Sequence, residues 1–566
     1  MKKIHFLSFL LLIFASFHFA QAQTTSGGDA VFRGISKELR TYDVQHYIIR
    51  SKFDRSDKIY FGDVTIQLKP LRNNFNSVLL DAADMKFDSI KLESTGVDLR
   101  YVQTGEKLTV NLDKSYSPDD LLSIRLKYSA KPKKGVYFVD AAENHSSQVW
   151  TQGEPEEIHH WFPSYDYPDD KATTEQFITV PKNEVAVANG ELLETVENAD
   201  GTKTFHYKMP VVHSVYLTSF SVGKYSRIED KYKNIPLGYY VYPGRENIGK
   251  DAFGKTPDMM RVYESLTGVA FPYNKYDQTI VARFNFGGME NISATTMADT
   301  EIFAVSFMPN EIIDLVSHEL AHSWFGDLVT CQNWSELWLN EGFATYMEAA
   351  YREKVFGRKD YLRKIEEDAD RAIAYDLTHR PRHALFNISA VPDDSLFDTT
   401  TYQKGGAVIH MLRETVGEAN FWKAINIYLN RHKFANVRST DLKKAMEEVS
   451  GMDLNWFFNQ WVYKGGFPQI SVKQSYNPSA KQLTLTVFQT QQADAVTPSA
   501  FMLPLEISVA TASGSKIEKL EIKDRTQTFS FKVDGKPSKI YFDPNEKIPL
   551  KIVKMISGTP GLNVEK

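Results

Sequence analysis

The order of apolar and polar residues changes its period twice along the chain, between Tyr225 and Asp251 and again after Pro468. Before the first change, segments such as Asp63–Lys69 and Leu108–Leu112 alternate apolar and polar residues. A period of two is typical of half-buried β-strands, and clusters of turn-forming residues separate these segments. The pattern predicts a β-rich N-terminal domain over residues 23–228.

In the middle of the chain, apolar residues recur every three or four positions, which predicts helices. The helical segments are Met260–Leu266, Glu311–Phe325, Tyr361–Ala374, Ala407–Thr415 and Phe421–His432. Short alternating segments return after Pro468 and predict a C-terminal β-sandwich over residues 469–556, followed by a loose tail at 557–566. The predicted fold class is therefore multidomain α+β, with an α-rich domain over residues 229–468 between two β domains.

The first 22 residues follow a different pattern. Lys2 and Lys3 precede an apolar run over Phe6–Phe17, and Ala20-Gln21-Ala22 offers a small-x-small cleavage site. These features are typical of a secretory signal peptide, cut here after Ala22. The run is shorter than the roughly 20 apolar residues that a membrane span needs. We therefore expect a secreted or periplasmic protein without stable membrane insertion.

Composition narrows the class of protein further. The 566 residues are 42% hydrophobic and 24% charged, which is typical of globular domains with large cores. The formal net charge is −5 without a basic block, which argues against nucleic acid as a partner. Cys331 is the only cysteine, so we expect stability to come from packed cores and a metal rather than from disulfides. The sequence leaves the oligomeric state open.

Two histidines four residues apart predict a metal site. His318-Glu319-Leu320-Ala321-His322 lies in a segment that is apolar almost all round, so its helix is buried. On a helix, His318 and His322 are about 40° apart, with Cβ atoms about 5–6 Å from each other. Imidazole nitrogens at that spacing reach one zinc ion at about 2.0–2.1 Å. Glu319 points to the side of the pair, where a carboxylate acts on water as a general base and not as a ligand.

A further glutamate completes the set of ligands. Glu341 follows His322 by nineteen residues, at the start of a second predicted helix over Phe343–Ala350, and a buried carboxylate needs a partner. Two histidines and one carboxylate hold a catalytic zinc and leave its fourth position open. The alternative interpretation is a pair of hydrogen-bonded core histidines. Glu348, two turns further on, either orients a ligand or is a structural carboxylate.

A second pair of histidines is adjacent in the sequence. His159 and His160 would face opposite sides of a strand, because side chains alternate along a strand. We therefore predict structural roles for both.

The zinc motif resembles the zinc aminopeptidases of the aminopeptidase N and leukotriene hydrolase family, a branch of the gluzincin metallopeptidases. The likeness rests on the five-residue motif, eighteen intervening residues and Glu341 within Trp338–Tyr346. Three further segments agree in order: Thr151–Glu154, Gly287–Asn291 and Thr401–Gly406. Many members carry alanine where this chain has Gly288. The family implies a thermolysin-like zinc catalytic domain over residues 229–468 that holds one zinc ion per chain, and an optional β-sandwich.

The resemblance also implies roles outside the zinc motif. Glu290, with Glu154 reaching in from the first domain, binds the free ammonium group of a peptide substrate, since carboxylates are its natural partners. Tyr402 donates its hydroxyl to the oxyanion of the tetrahedral intermediate. The remaining substrate-binding residues that the resemblance implies are Gly287, Gly288, Met289 and Asn291.

Three functions are compatible with these residues. The leading interpretation is a secreted zinc-dependent aminopeptidase that hydrolyses the N-terminal peptide bond of peptides. Lipid epoxide hydrolysis, as in the leukotriene branch, is the second, although that branch ends in helices and this chain ends in predicted strands. A non-catalytic binding module that retains the fold is the third. Zinc content and hydrolysis of an aminoacyl chromogenic amide separate the three.

Overall fold

The structure, a computed structural model, describes residues 40–557 and 563–565, so the predicted signal peptide over residues 1–22 lies outside the described residues. The first domain is built from strands, as the alternating pattern predicts. Its strands are β1 (Tyr42–Asp54), β2 (Ile59–Pro70), β3 (Phe75–Asp81), β4 (Met85–Leu92), β5 (Tyr101–Thr104), β6 (Lys107–Tyr116), β7 (Leu122–Ala130), β8 (Val136–Val139), β9 (Gln148–Thr151), β10 (Lys171–Pro181), β11 (Val185–Ala188), β12 (Glu191–Glu197), β13 (Thr202–Ser214) and β14 (Phe220–Gly223).

Seven of these strands form the largest sheet, in the order β12-β13-β10-β1-β2-β7-β4. Along β2, Val64, Ile66 and Leu68 are buried, which is the period of two that the sequence shows. A second sheet, β11-β14-β9-β8, lies against the middle domain, where the Trp150 indole nitrogen on β9 donates to the Ala282 carbonyl at 3.1 Å. Because β9 ends at this contact, the residues that follow it enter the cleft between the two domains.

The middle domain combines helices with a sheet. Its helices are α1 (Glu246–Phe253), α2 (Thr256–Thr267), α3 (Asp299–Phe303), α4 (Pro309–Ala321), α5 (Trp338–Phe356), α6 (Arg358–Thr378), α7 (Gly405–Val416), α8 (Glu418–Arg431), α9 (Ser439–Ser450) and α10 (Asn455–Trp461). Its strands are β15 (Ser226–Tyr232), β16 (Ile235–Val241), β17 (Tyr276–Val281), β18 (Gly288–Met289), β19 (Ala294–Ala298), β20 (Val329–Cys331) and β21 (Ala435–Val437). None of the helices in the described part of the chain is both long and apolar enough to cross a membrane.

The five-stranded sheet of this domain, β15-β16-β17-β19-β18, was not predicted from the sequence. Every residue of β17 is buried, and β17 pairs in parallel with both β16 and β19. Strands covered on both faces show no alternation, so the period of two is absent. The sheet begins at Ser226, three residues before the predicted boundary at 229.

Two helices of the middle domain present the zinc motif, and both differ from the prediction at their ends. Helix α4 ends at Ala321 and not at Phe325, because Ser323 and Trp324 donate to carbonyls three residues back, at 3.1 and 3.0 Å. Bonds of this type tighten a last turn and end the helix. Helix α5 begins at Trp338, five residues before the predicted start. Both histidines of the motif therefore lie in or just after the last turn of α4.

The third domain has the predicted sandwich. Its strands are β22 (Gln469–Asn477), β23 (Gln482–Gln489), β24 (Leu503–Thr511), β25 (Gly514–Ile522), β26 (Thr526–Lys532), β27 (Lys539–Phe542), β28 (Ile552–Ser557) and β29 (Asn563–Glu565). They form two four-stranded sheets, β26-β23-β22-β28 and β25-β24-β27-β29.

The prediction of a loose tail over residues 557–566 was wrong for its last residues. Asn563–Glu565 forms β29 and pairs in parallel with β27, with Val564 opposite Ile540. The outer side of β27 would otherwise leave backbone donors and acceptors unpaired at a sheet edge, and β29 covers it. Glycine and proline in this part of the sequence favoured an irregular segment and hid the strand.

Candidate active site

The three predicted zinc ligands converge on one point at the junction of α4 and α5. The Nε2 atoms of His318 and His322 lie 3.2 and 3.3 Å from the same oxygen, Oε2 of Glu341. All three side chains are buried, with exposed fractions of 8%, 1% and 2%. The helix spacing brings the two imidazoles together, and the first turn of α5 supplies the carboxylate.

The opposite nitrogens of both rings are held by protein acceptors. Nδ1 of His318 lies 2.8 Å from Oε1 of Glu348, and Nδ1 of His322 lies 2.9 Å from the Phe325 carbonyl oxygen. A histidine that donates from Nδ1 turns the lone pair of Nε2 toward the metal, and such outer partners fix the orientation of the ring. Glu348 therefore contacts a ligand, which decides between the two roles that the sequence left open.

These three donors fit a divalent cation. Two imidazole lone pairs and a carboxylate repel one another when they converge in a buried space, unless a positive charge or protons lie between them. The pKa values reflect how closely these groups approach one another. Burial acts to lower the pKa of His318, but its hydrogen bonds with Glu341 and Glu348 raise it to about 9. Burial acts to raise the pKa of Glu341, but the two histidines lower it to about 2. Two histidines, one carboxylate and an open side are the ligand set of catalytic zinc.

Glu319 lies beside the ligands and faces the strand β18. Burial raises the pKa of its carboxyl to about 8. A Cβ atom on Gly288 would lie 2.4 Å from the Glu319 carboxyl carbon, so this close approach requires glycine or a shift of the glutamate. The two segments therefore share one wall of the site.

Two carboxylates that are not zinc ligands face the same space. Glu154 and Glu290 are each only 4% exposed, and Oε1 of each accepts no hydrogen bond from the described residues. One carboxylate oxygen each of Glu154, Glu290 and Glu341 lie within 4.8 Å of one another. Burial, and next the charge of Glu290, raises the pKa of Glu154 well above its usual value. Oε1 of Glu290 also lies 3.8 Å from Nδ1 of His322. Two buried acids so close together are costly, so this part of the site favours a positively charged group.

Tyr402 completes the site from the opposite side. It lies in a one-turn π-helix, Thr400–Lys404, and its ring stacks on His318 with centroids 5.8 Å apart and planes 10° apart. Turns of this kind are frequent at functional sites. Burial and the neighbouring carboxylates raise the pKa of Tyr402 well above 10, so its hydroxyl keeps its proton and acts as a donor.

Three protein families match this chain, one in each of the three domains. Residues 251–461 match the peptidase family M1 domain, residues 43–217 match the peptidase M1 N-terminal domain, and residues 466–540 match a domain of unknown function with an Ig-like fold. The chain belongs to peptidase family M1. The predicted family and the predicted fold class are thereby confirmed.

Curated relatives of this M1 chain include proteins that are named aminopeptidases. It is 26% identical to Aminopeptidase 2 of Candida albicans over 85% of its own length and 54% of the relative's. It is 34% identical to Aminopeptidase N of Streptomyces lividans, over 58% of its length and 39% of the relative's. It is also 29% identical to Tricorn protease-interacting factor F2 of Thermoplasma acidophilum, over 85% and 60%. The chain spans about half the length of the curated relatives it matches.

The cofactor of the M1 site is zinc, because the family is one of zinc metallopeptidases and the chain brings the matching donors together. A cavity of about 390 Å³ opens in front of these donors. The predicted residues that line it are His318, Glu319, His322, Glu341, Tyr402, Glu154, Gly287, Gly288, Met289 and Glu290.

Asn291 was predicted to bind substrate but does not line the cavity. Its side chain is fully buried, and its amide nitrogen donates to Oγ1 of Thr296 at 3.1 Å. The physical reason is that β18 ends at Met289 and the chain then turns toward β19, where Thr296 accepts the hydrogen bond from Asn291.

Several lining residues were not predicted. Gln152 reaches the cavity from the first domain and donates to Sδ of Met289 at 3.3 Å, while its Oε1 accepts no hydrogen bond within the described residues. Phe286 and Phe397 lie on the far wall, with ring centroids 5.5 Å apart. Gln152 sits two residues before Glu154, so that spacing was a usable signal, whereas nothing local distinguishes the two phenylalanines from core residues.

Proposed function

We propose that this chain is a zinc-dependent aminopeptidase that removes single residues from peptides with a free N-terminus. The observation that carries the proposal is the pair of buried carboxylates, Glu154 and Glu290, beside the zinc ligands. An ammonium group pairs with both and is the cation that these acids lack. The aminopeptidase names of the relatives support the same activity.

The pair of acids also sets the position of cleavage. When the substrate's α-amino group is held between Glu154 and Glu290, the first peptide carbonyl comes to lie over the zinc ligands. Gly287 and Gly288 allow the extended substrate backbone to approach closely, as the contact between Gly288 and Glu319 illustrates. The site therefore measures one residue from the chain end, which an endopeptidase site does not do.

The chemistry divides among the remaining residues. Zinc supplies a Lewis acid that polarises the scissile carbonyl and makes water nucleophilic near neutral pH. Glu319 accepts the proton that the attacking water loses and passes it to the leaving amine. Tyr402 donates its hydroxyl hydrogen to the developing oxyanion, and His318 keeps its position through Glu348.

The alternative functions have less support. Lipid epoxide hydrolysis in the leukotriene branch accompanies a helical third domain, and the third domain here is a sandwich of strands. A non-catalytic binding module would not need the general base and the oxyanion donor, yet Glu319 and Tyr402 line the cavity together with the zinc ligands.

We also propose that the enzyme is exported. The support is the pattern of Lys2, Lys3, the apolar run and Ala22, which the family assignment neither requires nor opposes. Amino-terminal sequencing of the protein expressed from the full sequence should begin at Gln23. A mature protein that begins at Met1 and stays inside the cell would contradict export.

The variant Glu319→Gln tests the proposed chemistry. It removes the proton acceptor but no zinc ligand, so turnover of an aminoacyl chromogenic amide should fall by about 10²–10⁴. The zinc ion at the catalytic site should stay bound. Glu311→Gln, an exposed change on the same helix, serves as the control and should leave turnover unchanged. Near-normal turnover of Glu319→Gln with zinc bound would refute the assigned role.

A further inference from the structure

His159 and His160 do not lie in a strand as predicted but in a single 3₁₀ turn, Ile158–His160. The turn closes where the Trp161 nitrogen donates to the Ile158 carbonyl at 2.9 Å, with Ile158 anchored in the core. The two rings therefore come together, with centroids 4.4 Å apart, and each residue is 8% exposed. Two imidazoles thus share one small site at the edge of the first domain.

The tautomer of His159 is set by a buried carboxylate. Its Nδ1 lies 2.6 Å from Oδ2 of Asp166, and its backbone nitrogen donates to the same oxygen at 3.0 Å. The side chain of Asp166 has no exposed surface, so the hydrogen of Nδ1 points inward. Nε2 then lies on the side of Glu106, whose Oε2 is 3.6 Å away. A carboxylate behind a histidine is the arrangement that orients metal-binding histidines.

His160 offers a second imidazole. Its ring has no hydrogen-bond partner within residues 40–557 and 563–565, and it lies 4.4 Å from the His159 ring, centroid to centroid. Its nitrogens are therefore not committed to a protein acceptor, and imidazole nitrogens are common ligands of transition metals.

Glu106 supplies a carboxylate in front of the two rings. Its Oε2 lies 3.6 Å from Nε2 of His159, and one ligand atom each of Glu106, His159 and His160 lie within 4.8 Å of one another. Its side chain is 66% exposed on the turn between β5 and β6, so it is free to approach an ion. We propose that these three side chains form a second metal site, which binds a divalent transition-metal ion, Zn²⁺ or Cu²⁺, because imidazole ligands suit both.

The charges around the cluster permit a cation. Two lysines in this region, Lys134 and Lys133, are each paired with a carboxylate: Nζ of Lys134 lies 3.2 Å from Glu157, and Nζ of Lys133 lies 2.8 Å from Asp84. The site is separate from the catalytic zinc, since its ligands all lie in the first domain and share no residue with the catalytic set.

Counting bound metal tests the proposal. Full-length protein loaded with catalytic zinc is dialysed against buffer that contains free Zn²⁺, and zinc per chain is measured by mass spectrometry. We expect two ions in the wild type and one in His160→Asn. His206→Asn is the matched control, because both nitrogens of His206 already face Glu175 and Glu194, and it should still bind two.

A second variant shows whether a loss of metal in His160→Asn reflects misfolding. Glu106→Gln changes an exposed residue, and it should weaken binding of the second ion at least about tenfold without altering aminopeptidase turnover. Electron paramagnetic resonance of Cu²⁺ at this site should show coupling to two nitrogens in the wild type. A single ion per wild-type chain, or unchanged binding in both Glu106→Gln and His160→Asn, would overturn the proposal.

Discussion

Glu348 connects a zinc ligand to a buried row of charges, which makes it the most informative residue to change. Its Oε1 lies 2.8 Å from Nδ1 of His318, and its Oε2 lies 2.9 Å from Nζ of Lys364. Lys364 also lies 2.7 Å from Oδ2 of Asp368. Glu348→Gln keeps the shape of the side chain and removes its charge, so it isolates the electrostatic contribution to metal binding.

The size of the effect follows from these contacts. Replacing an outer partner of a ligand typically costs about 10–100-fold in metal affinity, or about 1.4–2.8 kcal/mol. Both Glu348 and His318 are less than a tenth exposed, so water screens their interaction little, and we expect the upper end of this range. The loss should not exceed it, because glutamine still offers an acceptor oxygen and Lys364 keeps Asp368 as a partner.

Competition with a chelator of known affinity measures the dissociation constant of zinc for both proteins. Glu353→Gln is the control: it lies on the same helix and removes the same charge, but its carboxylate faces Arg413 and Arg358 and not a ligand. We expect that control to bind zinc as the wild type does. If Glu348→Gln bound zinc within about twofold of the wild type, the assigned role of the carboxylate would be wrong.

Two further predictions concern the oxyanion donor and the pH dependence of stability. Tyr402→Phe should lower kcat by about 10²–10³ and leave KM unchanged, whereas a higher KM with kcat intact would make Tyr402 a ground-state binder. Burial lowers the pKa of His213 to about 4, below its value of about 6.5 in an unfolded chain, so the unfolded state takes up the proton first as the pH falls. The stability that this histidine contributes is therefore complete above pH 6.5 and is lost toward pH 4, by roughly 3 kcal/mol at most. The melting temperature should fall less steeply over this range in His213→Gln, and equal slopes in the two proteins would contradict the assignment.

The part of the site that is local in sequence was predictable. His318 and His322 lie four residues apart on one helix, and helix geometry alone brings their rings together. Glu341 follows on the next helix, in a sequence context that excludes an ordinary solvent-exposed carboxylate. These residues needed only the period of the pattern and the coordination preferences of zinc.

The part of the site where the first and middle domains meet could not be predicted from periodicity and zinc coordination alone. Glu154 and Glu290 are separated by more than a hundred residues, and only the family resemblance suggested that they meet. Gln152 was missed for the same reason, since it reaches the cavity from the first domain. Lys364 was missed because its partner Glu348 lies on another helix, and periodicity does not reveal which faces of two helices meet.

Backbone details explain the remaining differences. His159 and His160 look like neighbours on a strand, but a 3₁₀ turn has no period of two and places them side by side. The strand Asn563–Glu565 is too short to show alternation, and only its pairing with Lys539–Phe542 identifies it.

The most direct test of the proposed function uses one peptide with and without an acetyl group on its N-terminus. The acetylated form brings no ammonium, so Glu154 and Glu290 would stay buried beside a neutral amide, at a cost of several kcal/mol and of orders of magnitude in rate. We predict that the wild type cleaves the free peptide one residue at a time and leaves the acetylated peptide essentially intact. Glu290→Ala should cleave the free peptide much more slowly and narrow the difference between the two. Equal cleavage of both peptides by the wild type, or cuts inside a long peptide, would contradict an aminopeptidase and favour a general metalloendopeptidase.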